Sequence, residues 1–139
     1  MMNLSSREFC AAVFQEFDFL LASGFRVPSD GIEDTNLLAS VVYGGTHVSV
    51  RCALDRREDW IDCYVRPVGR LEVRPLHGFL VKYRGYRGDL GEFDPEDASL
   101  PAHVRVLRKY ATALQALAPD VAADSADVFV LQPRRLFQR

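Results

Sequence analysis

The chain has 139 residues, 48% of them hydrophobic and 26% charged, with a formal net charge of -2. That is the usual size of one domain able to bury its own core, and the charge balance argues against both a strongly basic nucleic-acid binder and a strongly acidic mimic of DNA. No apolar run approaches the ~20 residues of a membrane span, and Cys10, Cys52 and Cys63, an odd number without C-x-x-C spacing, argue against a disulfide framework or a zinc finger.

The first predicted element is a helix over residues 6–22. Ser5-Ser6-Arg7-Glu8 has the capping-box pattern, Phe9, Val13, Phe17 and Leu20 recur at helical spacing, and Gly24 is placed for a left-handed residue beyond the end. Arg26 to Asn36, with Pro28, Asp30, Gly31 and Asp34, is predicted as loop.

From Ala39 the period changes to two. Ala39, Val41, Val48, Val50 and Cys52 share a face if Gly44-Gly45 forms a two-residue turn, for which glycine's freedom at positive φ is suited; that turn pairs Tyr43 with Thr46 and Val41 with Val48. A second hairpin joins Val48–Ala53 to Trp60–Val65 through the charged link Leu54–Asp59. Centred between Arg56 and Arg57, it sets Val50 opposite Cys63, Cys52 opposite Ile61 and Arg51 opposite Asp62. One face is then apolar throughout (Val50, Cys52, Ile61, Cys63, Val65), and the other carries Ser49, Arg51, Trp60, Asp62 and Tyr64.

Pro67-Val68-Gly69 and Pro75 bracket a short strand around Leu71–Val73, and His77–Tyr83 alternates as a last strand. Residues 84–98 are rich in Gly and charge, the composition of a long exposed loop. Ser99 then caps a helix with Pro101 in its first turn and Val104, Leu107, Ala111, Leu114 and Leu117 as its buried stripe, ending at Pro119. Val121–Leu131 form one or two helical turns, Pro133 interrupts them, and Arg134, Arg135 and Arg139 make a basic end. The expected fold is a single α+β domain over 1–139: an N-terminal helix, a four- to five-stranded antiparallel meander, and C-terminal helices packed on one sheet face.

No pattern names a reaction. Cys52 and Cys63 are diagonal neighbours on the apolar face, where two small hydrophobes are the plain reading and no further ligand has a defined place. His47 lies on the opposite face from both, so no Cys-His nucleophilic pair forms. Glu92, Asp94, Glu96 and Asp97 sit in a loop where water solvates them, and Gly85, Gly88 and Gly91 lack the strand–loop–helix setting of a phosphate cradle. The second sheet face is richer: aromatic residues beside Arg are the composition of interface hot spots. Either a helix covers it and Trp60 is core, or it is open and binds a partner through Arg51, Trp60, Asp62 and Tyr64, with Tyr86 and Arg87 from the loop.

The runs Phe-Asp-Phe-Leu-Leu-Ala-Ser-Gly-Phe (17–25), Val-Val-Tyr-Gly-Gly-Thr-His-Val-Ser-Val-Arg followed by Asp-Arg-Arg-Glu-Asp-Trp-Ile-Asp-Cys-Tyr-Val (41–65), and Leu-Arg-Lys-Tyr-Ala-Thr-Ala-Leu (107–114) resemble a pattern met in small bacterial α+β proteins. Some of these resemble immunity proteins encoded beside secreted or contact-delivered toxins. The resemblance covers about half of the chain, is one of element order, and carries no catalytic set. The lack of a catalytic constellation, the aromatic/Arg face and the long charged loop lead to the expectation of a non-enzymatic protein-binding module, and the resemblance implies its most concrete version, an immunity protein whose sheet face or 84–98 loop occludes a toxin. The alternative is a small enzyme or ligand-binding domain with a pocket between sheet and helices, using His77 or the 89–97 carboxylates.

Further expectations are no cofactor, metal or catalytic residue, no nucleic-acid or membrane partner, and homodimerisation through the sheet face or an edge strand as the other assembly. The N-terminal run Met-Met-Asn-Leu-Ser-Ser-Arg-Glu lacks a basic stretch followed by an apolar run, so the expected location is the cytoplasm. Only Lys82 and Lys109 stand against a large excess of arginine, a bias of GC-rich bacterial genomes to which the sequence alone attaches no role.

Overall fold

Helix α1 (Ser6–Phe17) starts as its capping box requires: Ser5 Oγ accepts from the Glu8 amide at 3.1 Å, and the Glu8 carboxylate accepts from the Ser5 amide at 3.3 Å. The structure, a computed structural model, describes residues 4–131, so Pro133, Arg134, Arg135 and Arg139 lie outside the described residues. The α-helix stops at Phe17, five residues short of the expected end. The chain tightens there into a 3-10 segment, Asp18–Ser23, closed by Gly24 at φ 93°, the left-handed position expected of it.

The 26–36 segment is not all loop. It contributes a three-residue edge strand, β1 (Ile32–Asp34), too short for alternation to show in the sequence. The sheet continues with β2 (Leu38–Gly44), β3 (Val48–Asp55), β4 (Trp60–Pro67) and β5 (Arg74–Pro75), antiparallel throughout in the order β1-β2-β3-β4-β5.

Both hairpin registers differ from the expected ones. Val41 pairs with Cys52 rather than Val48, and the first turn has Thr46-His47 at its tip, with the Gly45 amide donating to the Val48 carbonyl. Neither Gly44 nor Gly45 adopts a positive φ. Gly45 is needed for another reason: a Cβ there would lie 2.5 Å from Asp124 Oδ1. That carboxylate accepts from the amides of Thr46 (2.6 Å), His47 (2.8 Å) and Val48 (3.0 Å), and so sets the turn from the far end of the chain. In the second hairpin Val50 pairs with Val65, Arg51 with Tyr64 and Cys52 with Cys63, which are directly opposite rather than diagonal. Each slip is by an even number of residues, so every side chain keeps its expected face.

Leu71–Val73, expected as a strand, is not one; the strand there is the two-residue β5 directly after it, and His77–Tyr83 is not a strand either. His77–Tyr83 lies within helix α2 (Leu76–Arg84), whose Leu76, Phe79, Leu80 and Tyr83 are buried at i, i+3, i+4 and i+7, with Gly85 left-handed at its C-terminus. The 84–98 stretch contains a 3-10 turn, Leu90–Phe93, whose Leu90 is buried. Helix α3 (Ala102–Leu117) begins after Pro101; Ser99 does not cap it but donates to Asp97 instead. Its buried side is Leu107, Tyr110, Ala111, Ala113 and Leu114, and the helical turn expected after Pro119 is α4 (Pro119–Ala122).

Among the described residues α1, α2 and α3 pack against the sheet and α4 packs against α3, and Phe9, Phe17, Phe25, Tyr43, Phe79 and Leu107 are among the fully buried side chains of the single core between them. Arginines tie this layer together. Arg108 grips Glu16 of α1 with two bonds of 2.9 and 3.0 Å, Arg84 pairs with Asp120 and lies 5.0 Å from the Phe79 ring, and Arg56 donates to the Leu4 carbonyl and Ser6 Oγ. These are forked contacts that a lysine could not reproduce. Among the described residues, no helix is long and apolar enough to cross a membrane.

Candidate functional site

The sheet's second face follows from the register. Cross-strand neighbours form three rows: Leu38, Asp55 and Trp60; Glu33, Ser40, Ala53 and Asp62; and Val42, Arg51, Tyr64 and Pro75. The middle row has its two smallest side chains, Ser40 and Ala53, at its centre, between longer ones on both sides. Among the described residues no helix lies over Ser40 and Ala53, yet they are only 1% and 7% exposed, set between the longer side chains of the flanking rows. The result is a trough across the strands, with a concavity of about 280 Å³ lined by Leu38, Arg51, Ala53, Asp55, Glu58, Trp60, Asp62 and Tyr64. Trp60 stays 59% exposed, so it is wall and not core.

Four of the six expected contact residues, Arg51, Trp60, Asp62 and Tyr64, come together here. Tyr86 and Arg87 do not. They follow α2, and the Tyr86 hydroxyl donates to the Asp89 carbonyl at 3.0 Å and to the Glu92 carboxylate, while Arg87 is exposed. Sequence reasoning missed Leu38, Ala53, Asp55 and Glu58. The available signal was the period-two alternation, which continues one step past Ala53 to Asp55 and one step before Ser40 to Leu38.

The charges in the trough are unevenly matched. The Arg51 guanidinium lies 4.0 Å from Glu33, toward the sheet edge. Asp55 is held by the β3–β4 turn, where its Oδ1 accepts from the amides of Arg57 and Glu58 at 3.0 and 3.2 Å. Asp62 is half-buried. Burial raises its pKa above the ordinary carboxylate value, and the Cys63 amide, the side chains of Trp60 and Tyr110 and the charge of Lys109 offset this only in part. Lys109 and Tyr110 reach it from α3 where β4 has no strand beside it: β5 pairs only with Tyr64 and Val65, and the Tyr110 hydroxyl donates to the Ile61 carbonyl at 3.3 Å. Burial and neighbouring Asp62 push the Tyr64 phenol up as well.

The remaining chemistry-bearing groups do not converge. Cys52 is fully buried across from Cys63, and burial followed by that thiol pushes it well above its usual value, far from the thiolate a nucleophile needs. Glu92 takes the Tyr86 hydroxyl, Asp94 lies 3.6 Å from Lys109, and Asp97 accepts from the Ser99 amide and hydroxyl. His77 is exposed on α2, edge-on to Tyr86 at 6.1 Å. No group of three or more His, Cys, Asp or Glu among the described residues could hold a metal ion. The space between sheet and helices, where the alternative reading sets a ligand, is occupied by Phe9, Phe17, Tyr43 and Phe79. A second concavity, lined by Asp34, Thr35, Asn36 and Arg56, contains an ion pair of 3.8 Å already made by Arg56 and Asp34.

Fold and site together define an α+β domain in which, among the described residues, the helices cover one face of a five-stranded meander and leave the other open. No family model, curated protein or solved structure matches the chain.

Proposed function

We propose that this chain is a non-enzymatic protein-binding module that docks through the open face of its sheet, in its most concrete form an immunity protein that occludes a toxin. One observation carries this reading: Trp60 stands 59% exposed beside Arg51, Asp62 and Tyr64 on a sheet face that, among the described residues, no helix covers. Trp, Tyr and Arg dominate the energetics of protein interfaces, and a large aromatic left in water costs solvation that a partner would recover. The mechanism is steric and needs no reacting group. Isolation from the native host at low salt tests it. The wild type should retain a stoichiometric protein partner that a Trp60→Ala/Tyr64→Ala variant releases; a wild type recovered alone, or a partner held equally by both, would overturn the reading.

A further inference from the structure

We infer that the trough binds the basic side chain of an arginine or lysine projecting from a protein partner. The inference rests on the open sheet face being the contact surface and adds the chemistry of what enters it.

Aromatic walls come first. Trp60 and Tyr64 stand in the rows on either side of Ala53, and aromatic faces attract a cation through their quadrupole, best when the cation is taken out of water. Charge is the second argument. Asp55, Glu58 and Asp62 line the concavity against one cation, Arg51, which faces Glu33. Among the described residues no lysine or arginine nitrogen lies within 4.0 Å of those three carboxylates. Size is the third: about 280 Å³ falls just under the ~300–1,000 Å³ of small-molecule pockets, which suits one long side chain better than a cofactor. The raised pKa of Asp62 agrees with this, since the carboxylate sits in partial burial that a guanidinium or ammonium would compensate. A guanidinium fits well, with its plane against an indole face and its fork toward a carboxylate.

Trp60 is the chain's one tryptophan, so its fluorescence reports on the trough directly. Titration with N-acetyl-arginine amide and N-acetyl-lysine amide should give a saturable change, whereas the neutral citrulline and norleucine analogues should give none. Affinity should fall about tenfold in Asp62→Asn and in Asp55→Asn. Glu96→Gln, which alters net charge equally but lies away from the trough, should leave it unchanged. A flat response to both cations, or equal binding of the citrulline analogue, would overturn the inference. Isolation from the host separates this failure from that of the docking reading. If Trp60→Ala/Tyr64→Ala releases the partner but Asp55→Asn/Asp62→Asn retains it fully, the face docks without a basic side chain and only this inference falls; if neither releases it, the docking reading falls first.

Discussion

Asp124 and Asp62 are carboxylates with opposite effects on the fold. Partial burial works to raise the pKa of Asp124, but the amides of His47, Thr46 and Val48 outweigh it and hold the group below its ordinary value. Its stabilising contribution is therefore complete above the unfolded value of about 3.9 and disappears as pH falls through the folded pKa. Asp124→Asn should lower unfolding free energy by about 1–2 kcal/mol at pH 7, because charge-assisted bonds to amides are lost. The difference from wild type should shrink toward zero near pH 2; urea titrations at the two pH values measure it, and a constant gap would refute the electrostatic account. Asp62 has its pKa raised, by burial first of all, so its sign is reversed. The folded state binds that proton more tightly than the unfolded state, and stability falls as pH rises from the ordinary carboxylate value through the folded pKa. Asp62→Asn should accordingly stabilise the unliganded protein at pH 7, a gain that vanishes in acid. Destabilisation at pH 7 would show that the carboxylate serves the fold rather than a partner.

Among the elements, the first hairpin shows how a remote side chain overrides local turn chemistry. A Gly-Gly step is a good two-residue turn by itself, yet the tip forms at Thr46-His47 because Asp124 offers acceptors to three consecutive amides there. Gly45→Ala should therefore act through Asp124, whose carboxylate occupies the place of the new Cβ. A double-mutant cycle makes this measurable: Gly45→Ala should cost about 1–3 kcal/mol in the wild type and much less in an Asp124→Ala background. Additive costs would mean that Gly45 acts by some other route. Nothing near residues 44–48 in the sequence announces this contact, which is why the expected register slipped. Helix α2 was hidden differently. Phe79, Val81 and Tyr83 alternate as a strand would, while Leu76, Phe79, Leu80 and Tyr83 repeat as a helix would; burial decides, since Val81 is exposed and the second set is not. The arginine excess, which carries no local pattern, becomes intelligible only once Arg84 and Arg108 are seen bridging separate helices.

Across the whole molecule, the two-faced character of the sheet was readable before any coordinates, because period two assigns faces and an even slip in register preserves them. What the alternation could not reveal is whether a helix also covers the face that carries Trp60, or the trough itself, which depends on Ser40 and Ala53 meeting in one row. That pairing exists only in the true register. The asymmetry of the faces can be tested by separating stability from recognition. Phe79 of α2 is fully buried and packs against the rings of Tyr83 and Phe129, so Phe79→Ala should cost about 3–5 kcal/mol by emptying a packed site. Trp60 is larger, yet more than half of it already meets water, so Trp60→Ala should change stability by no more than about 0.5 kcal/mol. Urea unfolding followed by far-ultraviolet circular dichroism reads both, since the second variant lacks the fluorophore. If Trp60→Ala cost as much as Phe79→Ala, the indole would be holding the fold together and the open face would lose its claim to be a binding surface. A small cost leaves an exposed aromatic that the fold does not need, the condition under which a partner's requirements can determine the residue.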